Sequence, residues 1–251
     1  MNMDNQDLKR LYNHVGKEIG WDFTRVHAVS SGVKWDFYKL VRDFCSPGDM
    51  LLDLGTGGAE QVLTLADAVA RIDAVDNAPE MVRTAERNIR HSKNRNVFSH
   101  CLDNKDIGEL NRYYDLVTCR HAPFHVQELK MVMKEGAVFM TQQVSEGDKQ
   151  NLKEWFNRGQ AFTIVDGTLQ DRYVKELQTA GYKHVQAYNY DAIEYYQTEN
   201  DLAFLLEHTP ILGAFGKDKR EYEQLHAFCE QYQTDQGIKT NSKRFMIVAI
   251  R

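Results

Sequence analysis

The sequence of 251 residues predicts a doubly wound α/β fold with a mostly parallel sheet of seven strands. Short apolar runs of strand length alternate with longer amphipathic segments that have a helical period. Helices of this length between strands act as crossover connections, which make the strands parallel and cover both faces of the sheet. The strand candidates are apolar throughout, as expected for strands that are buried on both faces.

Each strand and helix is predicted from its own run of residues. The predicted strands are Met50–Leu54, Ile72–Asp76, Asn96–Cys101, Tyr114–Cys119, Ala137–Gln142, a longer strand within His184–Tyr196, and Phe245–Ile250. The predicted helical segments between the first five strands are Glu60–Val69, Pro79–His91, a short turn near Lys105–Leu110, and Val126–Met133. Pro79 supports the start of its helix, because the first turn does not need the N–H that proline lacks.

The regions outside this alternating core indicate how a single domain is organised. We expect a helical cap at residues 1–45, the core at 46–144, a helical and aromatic region at 145–243, and a closing strand at 244–251. The aromatic residues of the two outer regions are ordinary core residues or the walls of a pocket for a planar substrate. They include Trp21, Trp35, Trp155, Tyr188, Tyr190, Tyr195 and Tyr196.

The composition predicts a cytoplasmic protein without membrane insertion. The first twenty residues are polar, and no stretch approaches the roughly 18 apolar residues of a membrane span. The four cysteines are scattered without a CxxC pair, which disfavours zinc and disulfides and favours a reducing compartment. A formal net charge of −5 disfavours nucleic-acid binding through a broad basic face. The basic residues of Arg83–Arg95 form either a solvated helix face or a contact with an anionic substrate.

The segment MLLDLGTGGAE, residues 50–60, runs from a buried strand through a glycine-rich turn into a predicted helix. Glycines allow the sharp bend and the close approach of a ligand, and a helix N-terminus offers unpaired N–H groups. Such a loop alone occurs in many α/β folds. Here Asp53 precedes the turn and Glu60 stands where a dinucleotide-binding loop has glycine, which favours a cofactor that carries an ammonium and a sulfonium over a pyrophosphate.

The next strand ends in Asp76, about 20 residues after the loop, where a carboxylate can accept both ribose hydroxyls. The alternative role for Asp76 is to cap the helix that starts at Pro79, a role that Asn77 could also fill.

Four motifs now stand in order: LLDLGTGGAE, IDAVDNAPEM, the pair Leu102–Asp103, and YDLVTCRHAPFH. Together they resemble the successive motifs of class I S-adenosylmethionine (SAM)-dependent methyltransferases, most of all the small-molecule branch that includes menaquinone- and ubiquinone-type enzymes. The resemblance covers residues 50–144 and the closing strand. It implies a Rossmann-like domain with an antiparallel C-terminal strand, SAM as cofactor, S-adenosylhomocysteine (SAH) as product, and no metal. Ala59 stands where the family has its third glycine, and we expect a distorted loop that still binds.

The resemblance also implies roles for individual residues around the cofactor. Asp53 would hold the amino group, and Gly55, Thr56 and Gly57 would pass along the methionine and ribose. Asp76 would hold the ribose diol, Asn77 and Met81 would line the adenine, Leu102 would lie against its ring, and Asp103 would meet its amino group. Arg120 would face both cofactor and substrate.

Catalytic candidates follow the fourth strand. Methyl transfer depends mainly on positioning, and a base near neutral pKa helps when the nucleophile carries a proton. His121 and His125 are candidates for that base, or they hold the loop structurally. Arg120 could orient a substrate carboxylate, phosphate or carbonyl, or it forms a salt bridge with Asp115 or Glu128.

The acceptor itself is predicted only by class. The sequence favours a small-molecule acceptor, with an RNA or protein methyltransferase, a SAM-binding protein without transferase activity, and a nucleotide-binding oxidoreductase as alternatives. No Asn/Asp-Pro-Pro-Tyr/Phe motif follows the fourth strand, which disfavours methylation of amino groups on adenine or glutamine. No spacing of acids and histidines typical of a metal site appears, so a magnesium-dependent mechanism is not predicted.

Overall fold

One mixed sheet organises the described part of the chain, residues 5–18 and 23–251 of the computed structural model. Its strands are β1 Ala28–Ser31, β2 Met50–Leu54, β3 Arg71–Asp76, β4 Val97–Cys101, β5 Tyr114–Arg120, β6 Met133–Val144, β7 Lys183–Tyr196, β8 Gln233–Thr234 and β9 Gly237–Ile250. They lie in the order β4-β3-β2-β5-β6-β9-β7-β1, with β8 paired to β9.

The strand pairing confirms the doubly wound prediction. The five strands from β4 to β6 are mutually parallel, and β9 lies antiparallel between β6 and β7. The chain winds outward in both directions from β2 and β5, so the order reverses between these two strands. In such sheets ligands bind outside the carboxyl ends of the strands at the point of reversal.

The prediction of seven strands was short by two. The sheet of the described residues has nine, because β1 adds an antiparallel edge to β7 and β8 forms a hairpin with β9. The four residues of β1, AVSS, are all exposed and show no alternation of polar and apolar residues. The closing strand also starts earlier than predicted, at Gly237. Its first half, residues 238–244, pairs with β7 and so belongs to the sheet.

The helices are α1 Asn5–Glu18, α2 Phe37–Asp43, α3 Pro79–Ser92, α4 Val126–Val132, α5 Gln150–Trp155, α6 Thr168–Thr179, α7 Glu199–His208 and α8 Arg220–Tyr232. Short 3₁₀ helices cover Val62–Leu65 and Ile107–Leu110. Two layers cover the sheet: α2 and α3 pack on one face, and α4 and α6 pack on the other. Among the described residues no helix is both long and apolar enough to span a membrane.

The predicted helix Glu60–Val69 was wrong. Only a short 3₁₀ helix, Val62–Leu65, forms there, and side chains from outside bind several of the carbonyls of this segment. Arg42 donates to the carbonyl oxygen of Thr64 at 2.8 Å, and Asn96 donates to those of Ala66 and Val69 at 2.7 and 3.0 Å. The glycine-rich turn is therefore not followed by an α-helix dipole.

The N-terminal region also differs from an all-helical cap. It contains α1, the strand β1 and the short helix α2, and Trp21 lies outside the described residues. Helix α1 packs on α3, where Leu11, Tyr12 and Val15 meet Ala78 and Met81.

Candidate functional site

Asp53 is the most buried carboxylate at the carboxyl edge of the sheet. It ends β2 with 1% of its surface exposed, accepts a hydrogen bond from Thr118 Oγ1 at 2.6 Å, and accepts another from the Tyr38 hydroxyl at 3.3 Å. Burial raises the pKa of Asp53 to about 6, although these hydrogen bonds oppose the shift. A cationic ligand group beside Asp53 would offset the cost of burying its charge.

The glycine-rich loop turns immediately after Asp53. Gly55 has φ of 68°, and a Cβ at this position would clash with the side chain of Ala122. Ala59 adopts φ of 64°, a left-handed conformation that usually favours glycine, and it is fully buried. The alanine in place of the family's third glycine thus keeps a glycine-like backbone, and the loop closes by a bond from Thr56 N to Val75 O at 3.0 Å.

Asp76 ends β3 and holds the glycine-rich loop from the side of that strand. Its carboxylate accepts hydrogen bonds from the backbone N–H groups of Gly57 and Ala78, each at 2.9 Å. Burial raises the pKa of Asp76 despite these bonds. Asp76 is not the helix cap of α3, because the N-cap is Ala78 and no side chain makes a capping bond there; Asn77 does not fill this role either.

The predicted adenine residues lie around Asp76. Asn77 Nδ2 lies 3.5 Å from Asp103 Oδ2, and Leu102 N donates to the Asp76 carbonyl at 3.0 Å. Met81 is buried under α1 in the small cluster that also holds Ala78. The fold therefore brings all four residues to the tips of β3 and β4.

Helix α1 lies beside this group, and the sequence did not reveal its place. Burial raises the pKa of Tyr12 to about 12, and the nearby charge of Asp76 adds to this shift. The spacing of Leu11, Tyr12 and Val15 indicates one apolar helix face, but nothing local shows which element that face contacts.

Arg120 is the last residue of β5 and His121 follows it, and the charge of Arg120 acts on Asp53. The Nε atom of Arg120 is buried without a hydrogen-bond partner, and none of the described carboxylates lies within 4 Å of its guanidinium. Asp115 binds Lys134 instead, at 2.7 Å. The salt bridges considered for Arg120 in the sequence therefore do not form.

His121 is held by Gln142, which is held in turn by Trp35. Trp35 Nε1 can only donate, and it lies 2.8 Å from Gln142 Oε1, so the amide NH₂ faces His121 Nε2 at 3.1 Å. The Nε2 atom then accepts a hydrogen bond, and the imidazole is neutral. Burial lowers the pKa of His121 well below its ordinary value, and Arg120 and Arg244 lower it further. Sequence reasoning missed Gln142 and the roles of Trp35 and Arg244.

His125 does not join this group. It is exposed at the N-cap position of α4, and its side chain makes no capping bond. Among the described residues no group of three or more His, Cys, Asp and Glu side chains could hold a metal ion.

Two buried polar atoms without partners test whether the site suits the implied cofactor. In the described part of the chain these are Arg120 Nε and Thr56 Oγ1, and the Thr56 hydroxyl lies close enough to Asp53 to lower the pKa of that carboxyl. Buried polar atoms are almost always paired, so two such atoms flanking Asp53 indicate a place for a polar ligand. The donors and acceptors at this edge suit an amino acid group and a ribose, so the residues fit SAM.

A separate cavity of about 230 Å³ lies beyond the carboxyl end of β6. Its walls come from Val144–Glu146, from Lys153 of α5, and from Leu169 and Arg172 of α6. Asp148, which pairs with Arg244 of β9, also contributes to the wall, so this cavity adjoins the Asp148–Arg244 ion pair.

Comparisons with known proteins show which domain and which fold this chain resembles. Residues 51–140 match a family model described as a methyltransferase domain. A comparison with curated proteins finds no match. Among similar solved structures is a SAM-dependent methyltransferase from Thiobacillus denitrificans in complex with SAH, 13% identical, with 99% of this chain and 100% of that chain covered at a TM-score of 0.52.

Two further structures share the fold. The precorrin-6y C5,15-methyltransferase from Geobacter metallireducens is 13% identical, with 84% and 85% of the two chains covered at a TM-score of 0.52. The [4+2]-cyclase SpnF is 14% identical, with 100% and 97% covered at a TM-score of 0.61. The menaquinone- and ubiquinone-type branch stays a prediction of the sequence. Residues 51–140 thus match a methyltransferase domain, and the chain shares its fold with a SAM-dependent methyltransferase.

Proposed function

We propose that the protein transfers the methyl group of SAM to a small-molecule acceptor. The observation that supports this most is the pair of buried carboxylates at the tips of β2 and β3, Asp53 and Asp76, with the unpartnered Thr56 and Arg120 atoms beside Asp53. Asp53 lies near the end of β2, where the order of the sheet reverses, and Asp76 ends the neighbouring β3; this edge is the usual ligand position in open α/β sheets.

Asp53 would hold the amino group of the methionine portion. Its neighbours Thr118 and Tyr38 already donate hydrogen bonds to it, so its position is fixed before the ligand arrives. A buried carboxylate pays a desolvation cost that a cation can offset, and burial has raised the pKa of Asp53 to about 6.

The adenosine portion would lie along β3 and β4. Asp76 would accept the ribose hydroxyls, while Gly57 N and Ala78 N keep its carboxylate oriented. Asn77 and Asp103 would bind the polar edge of the adenine, and Leu102 and Met81 would contact its faces.

When bound, SAM supplies a methyl carbon that its sulfonium already activates toward a nucleophile. The task of the protein is then to align the acceptor and exclude water. The neutral His121 would act here as a positioning residue, because its Nε2 is occupied by Gln142 and cannot accept a proton without breaking that bond. His125 is exposed and would take no part.

The preference for a small-molecule acceptor is supported by the size of the cavity beyond β6, about 230 Å³, and by the overall negative charge. An RNA substrate would need a continuous basic surface. On α3 the basic face is partly neutralised, since Arg83 pairs with Glu80 at 3.0 Å.

Calorimetry with SAH and adenosine, followed by assays with SAM labelled in its methyl group, tests the proposal. We expect SAH to bind in the micromolar range and label to pass to members of a small-molecule library, but not to total RNA or unfolded protein. A protein that does not bind SAH, or that labels only RNA, contradicts it. Because the same fold occurs in a [4+2]-cyclase, SAH binding without any turnover would indicate a different use of the cofactor.

A further inference from the structure

Four polar side chains lie close together where the carboxyl ends of β5 and β6 meet the middle of β9 and β7. Arg120 lies opposite Gln142, while Arg244 lies opposite Val144 on one side and Tyr190 on the other. Directly opposed residues share a face of a sheet, as do residues two apart such as Gln142 and Val144. Arg120, Gln142, Arg244 and Tyr190 therefore form one row on a single face, here called the arginine strip.

Trp35 covers this row from the segment before α2. Its ring meets the Tyr190 ring edge-on at a centroid distance of 4.6 Å, and its Nε1 donates to Gln142. Tyr190 is buried and Trp35 is half-buried, so the aromatic pair gives the arginine strip an apolar wall. In such a setting charges interact more strongly than they do in water.

The arginine strip carries more positive than negative charge. Arg244 pairs with Asp148, but Arg120 has no ion-pair partner among the described residues. Asp53 is the acidic group that acts on Arg120 through space, and in the function proposed above Asp53 is taken up by the amino group of the cofactor. Both guanidiniums also act on His121 and Tyr190, so their fields overlap in the space between these rings.

We infer that the arginine strip binds an anionic group of the methyl acceptor, a carboxylate or a phosphate, and so selects acidic acceptors over neutral ones. This inference rests on the proposed function, because it assigns an acceptor class to the same site. A guanidinium presents a planar fork of N–H donors that matches carboxylate and phosphate oxygens. The unpartnered Nε of Arg120 would gain its missing acceptor from that group.

Binding of simple acids to the SAH complex tests the inference without a known acceptor. A Trp21→Phe/Trp155→Phe variant leaves Trp35 as the fluorescent reporter. Benzoate and benzamide have the same shape but differ in charge. With saturating SAH we expect benzoate to change the fluorescence of Trp35 at concentrations at least about tenfold lower than benzamide, as charge-assisted hydrogen bonds are the stronger kind.

Substitutions then locate the effect. Arg120→Gln and Arg244→Gln should each remove most of the preference for benzoate, and Arg244→Lys should keep part of it. Lys243→Gln is the matched control, because Lys243 adjoins Arg244 in the chain but pairs with Asp166 at 2.6 Å, and it should keep the full preference. Since Arg244→Gln leaves Asp148 unpaired, the double variant Asp148→Asn/Arg244→Gln gives a second measurement in a balanced protein.

The outcomes separate this inference from the proposed function. No SAH binding by the unsubstituted protein overturns the proposed function. Normal SAH binding with equal affinity for benzoate and benzamide overturns only the inference. It is also overturned if Arg120→Gln weakens SAH but not 5′-methylthioadenosine and keeps the benzoate preference, because Arg120 then binds the carboxylate of the cofactor.

Discussion

At the scale of single residues, the cost of burying Asp53 shapes the candidate site. The carboxylate is almost fully enclosed, and the two hydroxyl donors beside it do not compensate for the loss of water, so its pKa rises to about 6. A carboxylate in this condition gains most from a positive ligand group, which makes its titration a test of its role.

Affinity for SAH should depend on pH through Asp53. The amino group binds the ionised carboxylate, so a protein that is protonated at Asp53 must lose that proton on binding. The affinity should therefore fall by up to about tenfold for each pH unit below about 6 and level off above it. Calorimetry at several pH values in two buffers of different ionisation enthalpy would show the released proton, and Asp53→Asn should flatten the dependence. A flat profile in the unsubstituted protein would remove Asp53 from the site.

Replacing Asp76 tests the other carboxylate. Asp76→Ala should weaken SAH by about 1–3 kcal/mol, because charge-assisted hydrogen bonds to a buried diol are lost. Adenosine should lose the same amount, whereas Asp53→Asn should leave adenosine binding unchanged because adenosine has no amino acid portion. Thermal unfolding serves as the check, since Asp76 also holds Gly57 and Ala78. Unchanged affinity in a folded Asp76→Ala protein contradicts the assignment.

At the scale of elements, the segment after the glycine-rich turn behaves differently from its sequence pattern. Its apolar spacing predicted a helix, but only a 3₁₀ helix forms, and the side chains of Arg42 and Asn96 bind carbonyls of this segment. In the function proposed above, binding at this loop would rely on the carboxylates, with Gly57 N–H orienting Asp76, and not on a helix dipole.

The contact between α1 and α3 gives a prediction at this scale. A Cβ at Gly16 would lie 2.8 Å from Met81 N, so Gly16→Val should push α1 away from α3 and destabilise the fold by about 1–3 kcal/mol. SAH affinity should fall several-fold as well, because α1 lies beside Asp76 and Met81. Lys17→Val, at an exposed position of the same helix, is the control for both measurements. Full SAH affinity in a destabilised Gly16→Val protein would separate α1 from the cofactor site.

At the scale of the whole molecule, buried ion pairs join the late region to the sheet. Lys149 is 2% exposed and pairs with Glu194 of β7 at 2.5 Å, and its Nζ also donates to the Asn241 carbonyl of β9 at 2.9 Å. Burial alone would raise the pKa of Glu194, but Lys149 lowers it. These bonds fix Lys149, just before α5, to β7 and β9 near the arginine strip.

Lys149→Met should leave the buried Glu194 charge without an ion-pair partner, which costs about 3–5 kcal/mol of unfolding free energy. Adding Glu194→Gln should recover much of this loss, because the uncompensated charge is removed. Urea unfolding measures both, and Arg220→Gln at the exposed Arg220–Asp218 pair should change little by comparison. Equal stability of the single and double variants would show that the charge is solvated.

The sequence by itself determined the core strands, the glycine-rich turn and the carboxylates at the strand tips, because each depends on a local period or on the end of one strand. It also indicated Arg120, whose position follows from the end of β5. Only the tertiary structure decided that Trp35 meets Gln142, 107 residues away, that α1 covers Met81, and that Arg244 lies opposite Tyr190. These contacts arise from packing between distant segments, and no periodicity within one segment encodes which surface it will meet.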